Sequence, residues 1–271
     1  MENSKVDFSN YKFRCSSLGH LLTEPRLKAD KDAGNLSEGC KTYLEKLHRE
    51  ELFGRSEEIK SKYLDKGIQN EEKSFTLYSN LTKDYSGSYK NTITFENDFI
   101  KGTPDNCKDK ILDIKSSWSL SSFPLYETKI ENKLYIAQLQ GYMALTGLDT
   151  AKLVYCLTDT PTKLINDELR RLDWKLDIMD TDGNIRENSI ELVVELLKNM
   201  IFSENGLKDF CEENPAVKLE WFTNFKEIPL QFRVKIFNLI KDDSMIEMIY
   251  SKVKKAREYM NELSLILANQ L

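Results

Sequence analysis

The 271-residue sequence has few of the residues on which common catalytic and metal-binding motifs depend. Its two histidines, His20 and His48, are too few for a histidine-based metal site, and neither belongs to a recognisable nucleophile motif. The five cysteines are widely spaced without a CxxC pair, which disfavours a zinc ribbon and indicates reduced thiols. If the chain is an enzyme, we therefore expect it to use carboxylates, lysine and a hard metal ion.

Long apolar runs and an excess of positive charge are also missing. The mean hydropathy is −0.51, so we expect no membrane span. Residues 1–15 lack the apolar core of a signal peptide, which favours a cytoplasmic location. The net charge of −5 excludes a generally basic nucleic-acid coat, so any contact with DNA must use a local patch. With 40% hydrophobic residues, the chain has enough apolar side chains for one large folded domain.

The spacing of apolar residues changes along the first part of the chain. From about residue 42 to residue 81 it is helical, and Gly54 and Gly67 are expected to divide this stretch into two or three helices. After residues 86–88 the period becomes two. The segment 92–100 therefore predicts a β-hairpin with its turn at Asn97–Asp98.

The middle and the end of the chain complete the predicted fold. Strands are expected at 110–115 and 152–157, on either side of an amphipathic helix at 131–146. The rest is expected to be mainly helical, with a final helix from about Ser244 to Ala268. This order predicts an α/β protein: a core over residues 1–160 with an N-terminal helical part, and a helical region over 161–271 packed on it as one globular unit.

The strongest chemical signal is Gly102–Thr103–Pro104–Asp105, followed by Asp113–Ile114–Lys115. Side chains two apart in a strand share a face, so Asp113 and Lys115 are expected on the same side. Pro104 restricts the chain before Asp105, which is compatible with a position beside Asp113. Neighbouring carboxylates suit Mg²⁺, and a lysine beside the ion stabilises charge on a phosphoryl oxygen. These residues predict metal-assisted phosphodiester hydrolysis, although a surface turn before an ordinary strand is an equal alternative.

Two further pieces of sequence add polar groups to this segment. Glu71 supplies a third carboxylate from a helix expected to begin near Gly67, and its neighbour Glu72 is a rival that points about 100° away. Gln138 and Tyr142 are four residues apart and share one helix face, from which both side chains can form hydrogen bonds. Interior packing of the helix is the alternative explanation for that pair.

In order, Gly-x-x-x-Glu, Gly-x-Pro-Asp, Asp-Ile-Lys and Gln-x-x-x-Tyr resemble the PD-(D/E)XK nuclease superfamily. Within it, they resemble the lambda-type, YqaJ-like viral exonucleases of phage recombination. The resemblance covers about residues 10–158. It implies a restriction-endonuclease-like core, in which a small mixed β-sheet is flanked by helices, with a helical C-terminal extension. The iron–sulfur branch of the superfamily needs four cysteines around the core, and the cysteine spacing here does not suit it.

The resemblance also implies roles for individual residues. The metal ligands would be Asp105, Asp113, the Ile114 carbonyl and Glu71, and Lys115 would be the catalytic lysine. Gln138 and Tyr142 would line the active site. The implied 5′-phosphate and DNA contacts are Arg14, Ser16 and Ser17, for which a simple helix cap by one of the serines is an alternative.

The function implied is that of an Mg²⁺-dependent deoxyribonuclease, with Mn²⁺ as a possible substitute. It would digest linear double-stranded DNA from its ends in the 5′-to-3′ direction and leave single-stranded tails. The implied partners are DNA ends, further copies of the chain in a ring-shaped trimer, and a single-strand annealing protein. Residues 101–133 contain six lysines against five acids, a local balance that favours phosphates. The alternatives are an endonuclease or a repair or defence nuclease of the same superfamily, or a DNA-binding module that no longer cuts.

Overall fold

The computed structural model describes residues 6–57, 61–85 and 90–270. Residues 86–88, where the change of period was expected, lie outside these ranges. The N-terminal part begins with a short strand and continues through helices. These elements are β1 (Phe13–Arg14), α1 (Leu18–Leu21), α2 (Lys28–Asp32), α3 (Glu38–Phe53), α4 (Lys62–Gln69) and α5 (Glu71–Thr82).

The two predicted helix breaks have different outcomes. Gly54 ends α3 in the left-handed region at φ 60°, as expected. Gly67 lies inside α4, where an added Cβ would meet nothing within 4 Å, and the break falls at Asn70 instead. Asn70 interrupts the helical path because its side-chain amide donates to the Thr158 hydroxyl at 3.0 Å and to the Asp159 carbonyl at 2.8 Å. Glu71 is consequently the first residue of α5.

The strands of the described residues form two three-stranded sheets, which confirms the α/β fold and divides the single expected sheet. In the first, β3 (Ile100–Gly102) pairs in parallel with β1 and antiparallel with β2 (Phe95–Glu96). The β2–β3 pair is the predicted hairpin. In the second, β4 (Ile111–Ser116) pairs in parallel with β5 (Thr150–Cys156), and the predicted helix α6 (Lys133–Thr146) connects them.

The expectation of a helical stretch after residue 161 is wrong at one place. β6 (Val234–Ile240) pairs antiparallel with β5 and completes the second sheet. Its apolar residues at positions 234, 236, 237, 239 and 240 do not alternate strictly, so the sequence pattern did not indicate the strand, which pairing with β5 stabilises. The remaining elements are α7 (Thr162–Leu176), α8 (Ile190–Lys198), α9 (Glu204–Glu213) and α10 (Asp243–Ala268), the last confirming the predicted final helix.

The main core lies between α1, α3, α6, α10 and the strands. A separate apolar cluster joins α7, α8 and α9. Within the ranges that the structure describes, no helix combines the length and the apolarity needed to cross a bilayer. The two sheets and α6 form the part of the fold that positions the residues singled out above.

Gly102 ends β3 at a point where the main core leaves no room for a side chain. An added Cβ would lie 2.6 Å from Cε1 of Tyr142 and 2.9 Å from Sγ of Cys15. Both neighbours are buried, so neither can move aside freely. The first residue of the Gly-x-Pro-Asp motif therefore serves close packing of β3 against α6.

We predict that Gly102→Ala lowers the free energy of unfolding by about 1–3 kcal/mol because the methyl group overpacks this contact. Urea denaturation followed by circular dichroism measures the change. The matched control is Gly67→Ala, which has open space in α4 and is expected to raise stability by up to about 1 kcal/mol. Equal stability of Gly102→Ala and the wild type would contradict the packing argument.

Lys66 in α4 is a fully buried lysine, with 0% of its surface exposed. Its Nζ donates to the Trp118 carbonyl at 3.0 Å and lies 5.2 Å from the centre of the Phe202 ring. Burial lowers the pKa of Lys66 from 10.5 to about 7, against a smaller raising effect of Asp159. Below pH 7 the fold therefore carries a charged group in an apolar environment.

We predict that Lys66→Met removes a pH dependence of stability. Between the folded and unfolded pKa values the unfolded chain binds more protons, so the free energy of unfolding rises with pH. From about pH 6.5 to about pH 8.5 the wild type should gain about 2 kcal/mol relative to Lys66→Met in urea denaturation. The exposed-lysine control Lys73→Met should follow the wild type. A wild-type slope in Lys66→Met would show that another group titrates.

Candidate active site

Asp105 and Asp113 are brought together by a tight return of the chain before β4. Backbone hydrogen bonds join Asn106 and Leu112 in both directions, at 3.2 and 2.9 Å. The Asp105 Oδ2 then accepts a hydrogen bond from the Ile114 N–H at 2.9 Å. Asp113 lies in β4 with only 2% of its surface exposed. The strand therefore carries one carboxylate and anchors the other.

Lys115 lies two residues further along β4, on the same face as Asp113. Its Nζ is 2.7 Å from Asp113 Oδ2. Burial acts to lower the pKa of Lys115, but the attraction of Asp113 and then of Asp105 outweighs it, so the pKa is raised overall. The lysine is therefore protonated at neutral pH and directly beside the carboxylates.

Gln138 and Tyr142 approach the same strand from α6. The side-chain amide of Gln138 donates to Asp113 Oδ1 at 3.1 Å and to the Tyr142 hydroxyl at 3.0 Å. Gln138 lines the cleft that contains the two aspartates, whereas Tyr142 lies behind it in the core. The pair orients Asp113, and only its glutamine faces the open side.

The two aspartates repel each other across this small space. Burial, and then the charge of Asp113, raises the pKa of Asp105 to about 7, against the lowering effects of the Ile114 N–H and Lys115. Asp113 Oδ2 is buried and accepts no hydrogen bond of regular geometry from the described residues, although the Lys115 ammonium is close. Such an arrangement is stabilised by a cation between the carboxylates.

Glu71 reaches the cleft from the start of α5 and is paired with a lysine that the sequence motifs did not indicate. Its Oε2 lies 2.6 Å from Nζ of Lys90. Glu71 is half-buried and lines the cleft, while its rival Glu72 is exposed and lines an adjoining groove. Lys90 escaped prediction because it belongs to no motif and precedes the hairpin by several residues.

The resulting cleft has a volume of about 730 Å³. Its charged and amide side chains are those of Glu71, Lys90, Asn91, Asp105, Asp113, Lys115 and Gln138. The exposed residues Tyr63, Leu64 and Ile68 of α4 give one wall an apolar character that was also not predicted. A larger groove of about 910 Å³ lies between residues 24–41 and α10 and contains none of the predicted site residues.

The donor set fits a hard divalent cation. Two adjacent carboxylates, the Ile114 backbone and the nearby Glu71 offer the oxygen ligands that Mg²⁺ prefers. In the described ranges no three His, Cys, Asp or Glu side chains converge closely enough to form a metal site on their own. Lys90 and Lys115 each hold one of the carboxylates, so ligation would require these ion pairs to rearrange.

Arg14, Ser16 and Ser17 are not among the residues that line this cleft. Arg14 is exposed in β1 and lies opposite Lys101 of β3. The separation arises because β1 pairs with β3 and not with β4. Their role at a 5′-phosphate stays a prediction.

No protein-family model matches the sequence, and no curated protein matches it. Several solved structures, however, are similar to this chain. A phage-related exonuclease from Haemophilus somnus 129PT is 26% identical over 94% of this chain and 95% of its own, with a TM-score of 0.66. An alkaline exonuclease from Laribacter hongkongensis is 13% identical over 97% and 94%, with a TM-score of 0.56, and its complex with dAMP gives 0.54 at 14% identity over 96% and 92%.

The likeness to the Laribacter hongkongensis protein concerns the fold alone, since the identity is low. The likeness to the Haemophilus somnus protein extends over almost the whole length of both chains at a higher identity. In this chain, Asp105, Asp113 and Lys115 line one cleft, as the order of the sequence motifs predicts. The chain is therefore similar in fold to phage-related and alkaline exonucleases, and this similarity supports its resemblance to the PD-(D/E)XK nuclease superfamily.

Proposed function

We propose that this chain is a metal-dependent exonuclease that digests linear double-stranded DNA from its 5′ ends and leaves single-stranded tails. The observation that carries the proposal is the meeting of Asp105, Asp113 and Lys115 in one open cleft. The likeness to the phage-related exonuclease from Haemophilus somnus 129PT supports the class of reaction. The 5′-to-3′ direction, the ring-shaped trimer, the annealing-protein partner and a role in phage-type recombination rest on the resemblance to lambda-type enzymes.

The proposed metal is Mg²⁺, with Mn²⁺ as a substitute. Asp105, Asp113 and the Ile114 carbonyl would hold it, with Glu71 as an additional ligand. When bound, such an ion supplies Lewis-acid activation of a water and of the scissile phosphate. Gln138 keeps the Asp113 carboxylate in one orientation through the hydrogen bond to Oδ1, while Oδ2 faces the Lys115 ammonium.

Lys115 contributes a fixed positive charge beside the place of reaction. Its raised pKa keeps the ammonium protonated, so it can donate hydrogen bonds to the attacking water or to a phosphoryl oxygen. Negative charge grows on those oxygens in the transition state, and a preorganised donor in a half-buried cleft stabilises it there. The chain therefore supplies both halves of the chemistry, ligation by carboxylates and charge stabilisation by lysine.

We predict that Asp113→Asn and Lys115→Met each reduce Mg²⁺-dependent digestion of linear duplex at least about 100-fold, because each removes a group that acts on the reacting phosphate. Release of acid-soluble nucleotides measures the rate, and circular dichroism checks the fold. Asp109→Asn is the matched control, since Asp109 is exposed in the turn just before β4. Wild-type digestion by Asp113→Asn would refute the assignment.

The substrate preference is tested with a duplex labelled at one end, with and without a 5′-phosphate and Mg²⁺, beside covalently closed circles. Ordered release of label from the 5′ end, with circles left intact, is the expected result. Cutting of circles at the same rate would support the endonuclease alternative. Measurable Mg²⁺ binding without any cleavage would support the non-cutting DNA-binding module.

Lys90 gives a prediction for metal affinity that needs no catalysis. Its ammonium contacts Glu71 at 2.6 Å and therefore competes with a divalent cation for that carboxylate. We predict that Lys90→Ala binds Mn²⁺ about three- to tenfold more tightly in titrations followed by electron paramagnetic resonance. Lys90→Arg retains the charge and should bind Mn²⁺ like the wild type. In a Glu71→Gln background the gain should shrink, and a gain of full size there would exclude this competition.

A further inference from the structure

One face of α6 contacts one face of β4, and each of the two strand residues Asp113 and Lys115 has its own partner on the helix. Positions 135, 138 and 142 follow the i, i+3, i+7 spacing of a single helix face. Opposite them, Asp113 and Lys115 share a face of the strand. Gln138 bonds to Asp113, and the Nζ of Lys115 lies 4.9 Å from the centre of the Tyr135 ring. From the same helix face, Gln138 therefore contacts the aspartate through a hydrogen bond and Tyr135 contacts the lysine through its ring.

A second aromatic ring supports this contact from the sheet. Tyr155 of β5 is the direct neighbour of Lys115 in the parallel ladder. Its ring meets the Tyr135 ring at an interplanar angle of 64°, with 6.2 Å between the centroids. Tyr135 also lines the cleft. The Lys115 ammonium thus lies between a carboxylate on one side and an aromatic wall on the other.

The ion pair with Asp113 is open to competition, whereas the aromatic contact is not. A divalent cation on the Asp113 carboxylate would repel the ammonium and weaken the 2.7 Å contact. The attraction between an ammonium and a ring face depends on the ring quadrupole, which a metal ligand does not occupy. After metal binding, the ring face is the remaining attraction that keeps Lys115 in place.

We propose that Tyr135 is a positioning residue, which holds the Lys115 ammonium through its ring face in the reacting enzyme. The effect on catalysis rests on the proposed function, whereas the contact between Tyr135 and Lys115 is independent of it. A ring that merely fills space would respond to its size and not to its charge distribution, so one series of variants changes the electron density of the ring and nearly preserves its size.

The first test measures digestion at saturating duplex and Mg²⁺. Tyr135→Phe keeps the ring and should retain kcat within about twofold, whereas Tyr135→Leu should lose about ten- to hundredfold in kcat with KM nearly unchanged. Substitution of Tyr135 by mono-, di- and trifluorophenylalanine, which progressively withdraws charge from the ring face, should lower kcat stepwise. An unchanged kcat across the fluorinated series would overturn the proposal.

The second test uses the metal-free protein and no substrate. Lysines are converted to isotopically labelled dimethyl-lysine, and the Lys115 resonance is assigned by its loss in Lys115→Arg. Because the ammonium lies over a ring face, this resonance should show an upfield ring-current shift in the wild type and in Tyr135→Phe. The shift should disappear in Tyr135→Leu. A Lys115 resonance without that shift in the wild type would overturn the proposal.

The two tests separate failure of this inference from failure of the proposed function. If the ring-current shift is present and duplex is not digested at all, the proposed exonuclease is wrong while the Tyr135–Lys115 contact stands. If duplex is digested and Tyr135→Leu digests it like the wild type, the exonuclease stands and the positioning role is refuted. Equal unfolding midpoints of the variants in urea show that neither result comes from misfolding.

Discussion

The repulsion between two aspartates that are held side by side is the constraint on which this site depends. Asp113 is fixed inside β4, and the Ile114 N–H holds Asp105 against the same strand. Burial of Asp105, and then the charge of Asp113, raises the pKa of Asp105 to about 7. The fold tolerates this cost because positive charge is supplied nearby, by Lys115 on the strand itself.

The surrounding strands and helix keep the two aspartates together despite their repulsion. β4 is paired with β5, β5 with β6, and α6 covers the sheet with Gln138 hydrogen-bonded to Asp113. Gly102 lets β3 approach α6 closely, and Pro104 and Asp105, which follow β3, line the cleft. Elements separated by many residues in sequence therefore converge on one carboxylate, and rigid packing keeps that carboxylate oriented.

Local sequence patterns predicted the elements in which the spacing of apolar residues is unambiguous, such as β4 and α6. Asp113 and Lys115 could be placed together because a strand dictates which residues share a face. β6 was not predicted, since its stability comes from pairing with β5 and its apolar residues do not alternate strictly. The roles of Lys90 and Tyr135 were not predicted for a similar reason. Tertiary packing brings these residues to the cleft, and neither belongs to a sequence motif.

The charges of the cleft also indicate how an acidic chain would accept a polyanion. Without a metal ion, Glu71, Asp105 and Asp113 face Lys90 and Lys115, so the cleft carries no surplus of positive charge for phosphates. Ligation of a divalent cation would reverse this balance and release both ammonium groups from their carboxylates. On the proposed function, affinity for the DNA backbone would then depend on the metal more strongly than the net charge of −5 suggests. On this proposal, Lys90 and Lys115 would act as counter-ions of the carboxylates before ligation and would be free to contact phosphates after it.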